Sequence, residues 1–214
     1  MKTRYLIPVS LIMVLILSSA GFTQQAQSVK LPQPDTQGGK PLMQALKERR
    51  TSREFSAQPL SLQVLSDLLW AASGINRADG HRTAPTAMNM REIDIYVANA
   101  DGLYLYDIKA HMLIPVISED IRAQTGKQAF VKDAPVNLIY VADLSRMSRL
   151  KAEDADFYAA TDTGFISQNV YLYCASAGLA TVVRGSIDKP ALTEAMKLRV
   201  DQKIILAQTV GYPK

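Results

Sequence analysis

Helical and strand-like periodicities do not alternate strictly along this chain, and that order argues for an α+β fold over a doubly wound parallel sheet. Pro41 suits a helix's first turn, with Leu42, Met43 and Leu46 marking one face up to Arg49. Ser61 is placed to cap a second helix, whose apolar stripe is Leu62, Val64, Leu65, Leu68 and Leu69 and whose stop is Gly74. Period-two patterning then takes over at Ile93, Ile95 and Val97. Asp101-Gly102 leads into Leu103–Tyr106, a hairpin signal. A short helix is expected from Ser118, with Glu119 and Asp120 in its first turn. Residues 135–142 read as a buried strand, and 153–177 form the longest helical candidate, ended by Gly178. Asp188 and Pro190 open another helix, and residues 204–210 close the chain as a strand. The sequence has no internal repeat.

The N-terminus reads as an address. A basic Met1–Arg4 precedes an apolar run over residues 5–17 and the small residues Ser18, Ser19, Ala20 and Gly21, the order of a secretory signal peptide over 1–22. The run falls short of the roughly 20 residues that cross a bilayer; an uncleaved anchor is the rival reading. The expectation is an exported, periplasmic or otherwise extracytoplasmic protein with no stable membrane span after signal removal. Residues 23–40, rich in Gln, Ser, Pro and Gly, are expected to be a flexible leader, and 41–214 one domain.

Composition removes several function classes. The formal charge is +4, and Lys2 and Arg4 belong to the address, so the remaining excess is too mild to argue for nucleic acid. A single cysteine, Cys174, excludes an intrachain disulfide and a cysteine-cluster metal site. His81 and His111 lack the spacing of a zinc helix, so no metal is expected. No Gly-x-Gly-x-x-Gly, Walker loop or Gly-x-Ser-x-Gly elbow is present, which takes the usual support from dinucleotide-fold and hydrolase readings.

Three segments carry possible chemistry. Arg49, Arg50 and Arg53, with the hydroxyls of Thr51 and Ser52, offer forked donors that match phosphate oxygens. They follow a helix, whose C-terminal end repels anions, so side chains would have to do the holding. A solvated basic turn is the bland alternative. The loop Thr83-Ala-Pro-Thr-Ala-Met-Asn89 has small residues that let backbone donors approach a flat ligand, or is simply a turn at Pro85 leading into a strand. Arg184-Gly185 falls between a short apolar strand and the Asp188 helix, where donors could face a ligand or a turn glycine could serve the backbone alone. Tyr171, Tyr173 and Cys174 read as core or half-core residues; a thiol deep in a helix is a poor nucleophile.

The order of these segments resembles the nitroreductase superfamily of FMN oxidoreductases. Arg49-Arg-Thr-Ser-Arg-Glu-Phe55 is similar to its phosphate-binding segment, Thr83–Asn89 to the loop that reaches the partner subunit's flavin, and Asp162–Leu179 to its long central helix. Val210-Gly-Tyr-Pro213 is similar to the closing strand. Asp101–Asp107 with His111 and Leu113, and Asp133–Val141, resemble the SagB-type dehydrogenase branch. The resemblance implies a central, mostly antiparallel sheet flanked by helices, in a homodimer with FMN at the interface. Arg49, Arg50, Thr51 and Arg53 would take the phosphate and ribityl end, Pro85, Thr86, Met88 and Asn89 would approach the ring from the other subunit, and Arg184 and Gly185 would lie near the flavin's reactive edge. It implies an oxidoreductase that moves a hydride or electrons through flavin N5 to or from a small organic substrate. The alternative is a non-catalytic flavin- or ligand-binding module of the same fold.

Three departures bear on that carry-over. Arg91-Glu92 stands where relatives often have Gln-Pro, and Arg184-Gly-Ser-Ile-Asp188 where they have Gly-Gly-Phe-Asp, which puts a cation near the flavin edge. The chain also ends at Lys214, without the basic residues that many relatives place beyond Gly-Tyr-Pro. The electron donor is left open.

Overall fold

The computed structural model describes residues 27–214; the signal peptide expected over 1–22 and the start of the leader lie outside them. Seven strands form one sheet in the order β1-β4-β3-β2-β5-β7-β6, every neighbouring pair antiparallel. They are β1 (Val29–Lys30), β2 (Ile93–Asn99), β3 (Gly102–Asp107), β4 (Met112–Ile117), β5 (Val136–Asp143), β6 (Ala180–Arg184) and β7 (Gln202–Gly211). The helices are α1 (Leu42–Glu48), α2 (Leu62–Ser73), α3 (Ala152–Ala177) and α4 (Lys189–Ala195). The α+β expectation holds, and the sheet is antiparallel throughout the described residues.

The unbroken apolar run of β5 has a direct cause. It lies between β2 and β7, and all eight of its residues are buried. Successive side chains point to opposite faces. Leu138 and Tyr140 meet Leu65 and Leu69 of α2 and Ile166, Val170 and Cys174 of α3. Ile139 and Val141 meet Ile187, Leu192 and Met196 around α4. A strand covered on both faces loses the polar alternation of a half-exposed one.

The helix boundaries follow their caps. Ser61 Oγ accepts the Val64 N–H at 3.2 Å and opens α2, and Asp188 accepts the Ala191 N–H at 3.3 Å ahead of α4. Glu153 and Asp154 sit in the first turn of α3, where the helix dipole favours them. Gly178 ends α3 at φ 71°, a left-handed cap that favours a residue without Cβ.

Two expectations need correction. No α-helix starts at Ser118: β4 pairs with β3 as far as Ile117, and the Asp120 carboxylate then accepts the Arg122 backbone N–H at 3.0 Å, a local turn that competes with a helix. The leader is not loose over its described part. Val29 and Lys30 pair with Leu113 and Met112, Leu31 is buried, and Pro32 accepts a 2.6 Å hydrogen bond from Ser66 Oγ. His111 completes this latch, lying 2.7 Å from Ser66 Oγ and 2.8 Å from the Tyr106 hydroxyl. The apolar face expected on α1 is present and lies outward: Leu42 is 63%, Met43 74% and Leu46 44% exposed. Phe157 and Phe165 of α3 are exposed as well.

Cys174 is fully buried, and that burial pushes its thiol far above the usual range, so it is inert at neutral pH. Cys174→Ser is expected to cost about 1–3 kcal/mol by burying a hydroxyl in an apolar core. A lowered urea midpoint with ligand binding intact would be the signature; a folded variant that lost only activity would contradict the core assignment.

Candidate functional site

The segment after α1 is fastened to the edge of the sheet. Ser52 N–H donates to Thr181 O at 3.0 Å, Ser56 N–H to Tyr212 O at 2.9 Å, and Phe55 bridges Pro213. These bonds hold the arginines beside β6 and the end of β7. The Arg49 guanidinium carbon lies 5.3 Å from the centre of the Tyr171 ring, within cation–π range. Tyr171 Oη accepts the Val183 N–H at 3.0 Å and sits 3.0 Å from Thr51 Oγ1. With its lone pair so engaged, the Tyr171 hydroxyl can donate to Thr51 and leave the Thr51 O–H free for a ligand.

Arg49 and Arg50 line a cavity of about 530 Å³, with Ser52, Gly178, Ala180, Thr181 and Pro213. Arg53 instead faces an adjoining recess of about 700 Å³ with Phe55, Phe130 and Lys214, and Pro213 borders both. Lys40 at the rim is held by Glu48 at 2.6 Å. Among the described residues none of the three arginines has a carboxylate partner. A solvated turn would need no cavity. Here two forked cations, a hydroxyl and small residues surround one, and that donor set fits a phosphate-bearing ligand.

The second segment is a strained loop. Met88 (φ 49°), Asn89 (φ 56°) and Arg91 (φ 56°) all occupy the left-handed region, an arrangement that persists only where surrounding bonds enforce it. Those bonds are present. Asp162 of α3 accepts the Ala87 N–H at 2.8 Å, Thr86 Oγ1 accepts the Arg91 N–H at 3.1 Å, and Arg91 Nε donates to Asn89 Oδ1 at 2.8 Å. Met88 is left 67% exposed at the tip. Pro85, Thr86 and Asn89 line a small cavity of about 200 Å³ with Arg77, His81, Arg82 and Arg91. That cavity and the Arg49–Arg50 cavity share no residue, so one chain does not bring the two sets together.

Arg184, whose direction the sequence leaves open, is buried at the end of β6. It is 4% exposed, with Nε donating to Thr209 Oγ1 (3.1 Å) and its terminal nitrogens to Thr125 O (2.8 Å) and Asn137 Oδ1 (3.0 Å). Burial brings its pKa down to about 10, so it remains a cation at neutral pH. Its charge is committed to the interior, and Gly185 and Ser186 stand exposed at that corner. A Cβ on Gly126 would fall 1.9 Å from the Arg184 guanidinium, which is why the turn over it carries glycine.

Two features had little sequence signal. Arg82 joins the loop cavity because residues 75–82 fold back on themselves, with Ile75 bridging Arg82. Glu92 was notable only as a departure from the family pattern, yet it is fully buried, and neither carboxyl oxygen has a hydrogen-bond partner among the described residues. An acidic residue directly before an apolar alternating strand is the only hint the sequence offers.

Fold and site together define an antiparallel α+β protein with an arginine-lined cavity at one sheet edge and a strained loop elsewhere. The model of the "Nitroreductase family" matches residues 46–212. The Methanocaldococcus jannaschii protein named "Putative nitroreductase MJ1384" is 32% identical over 168 residues, covering 74% of this chain and 85% of its own. A solved structure from Ralstonia eutropha with the same description is 44% identical, superposes with a TM-score of 0.84, and covers 88% of this chain and 90% of its own. The NADPH:FMN oxidoreductase from Vibrio harveyi, solved in complex with NAD+, is 18% identical with a TM-score of 0.61 over 81% of this chain and 69% of its own, a likeness of fold. The chain belongs to the nitroreductase family, and so to the oxidoreductases of flavin type.

Proposed function

We propose that this protein is an exported FMN-dependent oxidoreductase, nitroreductase-like or of the SagB-type dehydrogenase branch, acting as a homodimer with flavin between protomers on a small organic substrate. The observation that carries it is the pair Arg49 and Arg50, lacking carboxylate partners among the described residues and lining one cavity with Ser52, while Thr51 between them is held by the Tyr171 hydroxyl. In that reading Arg49 and Arg50 neutralise the phosphate and Thr51 donates toward the ribityl chain. Arg53, beyond Pro213, stands beside the rest of the ligand in the adjoining recess. Tyr171 fixes both Arg49 and Thr51 from below, which lowers the conformational cost of binding.

The bound flavin would supply hydride or electron transfer at N5, and the protein's share is orientation, electrostatics and exclusion of water. Pro85, Thr86, Met88 and Asn89 would reach the ring from the second protomer. Two facts support that geometry: the two residue sets line separate cavities among the described residues, and α1 and α3 expose Leu42, Met43, Leu46, Phe157 and Phe165, apolar side chains of the kind that subunit contacts cover. With Arg184 turned inward, the cation available at the reactive edge is not Arg184, and Gly185 presents backbone there. Outside the cytoplasm the electron donor would be a partner protein, a quinone-linked route or the substrate itself.

Arg49→Ala and Arg50→Ala are each expected to weaken FMN binding by about 1.5–3 kcal/mol, the value of a hydrogen bond to a charged group. Titration of the purified protein with FMN, followed by quenching of flavin fluorescence, measures this. Unchanged affinity in both variants returns the cluster to a solvated turn. A yellow protein whose dithionite-reduced form is not reoxidised faster by any acceptor favours the non-catalytic module.

A further inference from the structure

The loop cavity has a chemical character of its own. Arg77, Arg82, Arg91 and His81 surround about 200 Å³ of space, and no carboxylate lines it. The other two arginines are tied at its edge, Arg91 donating to Asn89 Oδ1 and Arg77 to Asn76 Oδ1 at 3.2 Å, and His81 Nδ1 lies 2.8 Å from Asp79. Arg82 is half-buried, and its guanidinium makes no hydrogen bond or ion pair among the described residues. Asp94, the acidic residue that acts on it, is already bound in a fork by Arg146 at 2.9 Å. Burial and the neighbouring Arg91 and Arg146 all disfavour the Arg82 cation, so its charge is held at a cost that an incoming anion would relieve.

We propose that this cavity is an oxyanion subsite, in which Arg82 and Arg91 grip a carboxylate or phosphate carried by the small molecule that reacts at the flavin. A half-buried guanidinium without a counterion is a forked donor set aimed at paired oxygens, and the neighbouring Thr86 and Asn89 add a hydroxyl and an amide. The placement beside the ring rests on the proposed role of Pro85, Thr86 and Asn89. The anion preference itself needs only residues of one chain. Substrates bearing a negative charge are then selected, and neutral analogues of the same shape are not.

The test is a calorimetric titration of the FMN-loaded protein with 4-nitrobenzoate, 4-nitrophenyl phosphate and neutral 4-nitrobenzamide. At least one anion is expected to bind about tenfold or more tightly than the amide, the worth of one charged hydrogen bond. Whichever anion prevails names the group. Arg82→Gln and Arg91→Gln are each expected to reduce that preference to about threefold or less. Equal binding of all three probes by the wild type, or a preference that survives both substitutions, overturns the subsite. Failure of the wild type to take up FMN would overturn the cofactor reading instead. The same titrations on flavin-free protein would still decide the subsite, with Arg49→Ala included to separate binding at the other arginine cavity.

Discussion

Arg184→Ala is expected to destabilise the protein by about 3–5 kcal/mol, while Arg184→Lys recovers only part of the loss. The guanidinium serves three acceptors from three elements: Thr209 of β7, Asn137 of β5 and the Thr125 carbonyl in the turn after β4. Truncation leaves the Thr125 carbonyl buried without a donor and opens a void beneath Gly126. A buried unpaired acceptor costs about 1–3 kcal/mol, and the lost charge-assisted bonds and packing add to it. Part of that is offset, because the cation no longer has to be kept out of water. Lysine delivers one compact ammonium and cannot reach three divergent acceptors. Urea unfolding at neutral pH reads the difference. A loss under about 1 kcal/mol for the alanine variant would mean that the desolvation cost cancels the network, and that Arg184 is not what anchors the 122–127 turn.

Arg184 also shows where sequence reasoning stops. The sequence placed a cation at the end of a short strand before a helix, and both neighbours are where they were expected. Which face the side chain takes is set by the strand's register with β7, where Arg184 pairs with Ala207, and no local pattern encodes that pairing. Caps and periodicities were legible for the opposite reason: Ser61, Gly178 and Asp188 act through bonds to residues three or four positions away. The helix misassigned at Ser118 was lost just beyond the end of β4 to a local turn, in which the Asp120 carboxylate takes both the Arg122 N–H and its guanidinium. At the candidate site, the Arg49–Arg53 cluster was visible as composition. Its division across Pro213, and the Tyr171 ring beneath Arg49, come from the meeting of α3 with the chain end. The cavity at the loop was invisible, because nothing joins Arg77 and Arg82 to Arg91, marked only as a departure from the family pattern, until the chain folds back at residues 75–82.

Glu92→Gln is expected to flatten one part of the stability–pH curve. Glu92 is fully buried beside Asp162, whose Oδ2 accepts the Ala87 N–H. Burial first, and the Asp162 carboxylate second, push its pKa up to about 7 from the usual 4.5. The folded protein therefore holds a proton that the unfolded chain has released, and between those two values stability falls as pH rises. Each pKa unit is worth about 1.4 kcal/mol, so the loss amounts to about 3 kcal/mol across the window and is complete above neutrality. Glutamine keeps the shape and carries no proton to lose. Wild type and variant should show similar urea stability near pH 5 and part steadily toward pH 8, with the variant the more stable. Comparing the two chains cancels every other titrating group, so parallel profiles from pH 5 to pH 8 would mean that Glu92 stays ionised throughout. The consequence reaches the loop: with Glu92 charged, two carboxylates compete for one buried space, and the one that holds Ala87 also holds the left-handed turn at Met88 and Asn89 in place.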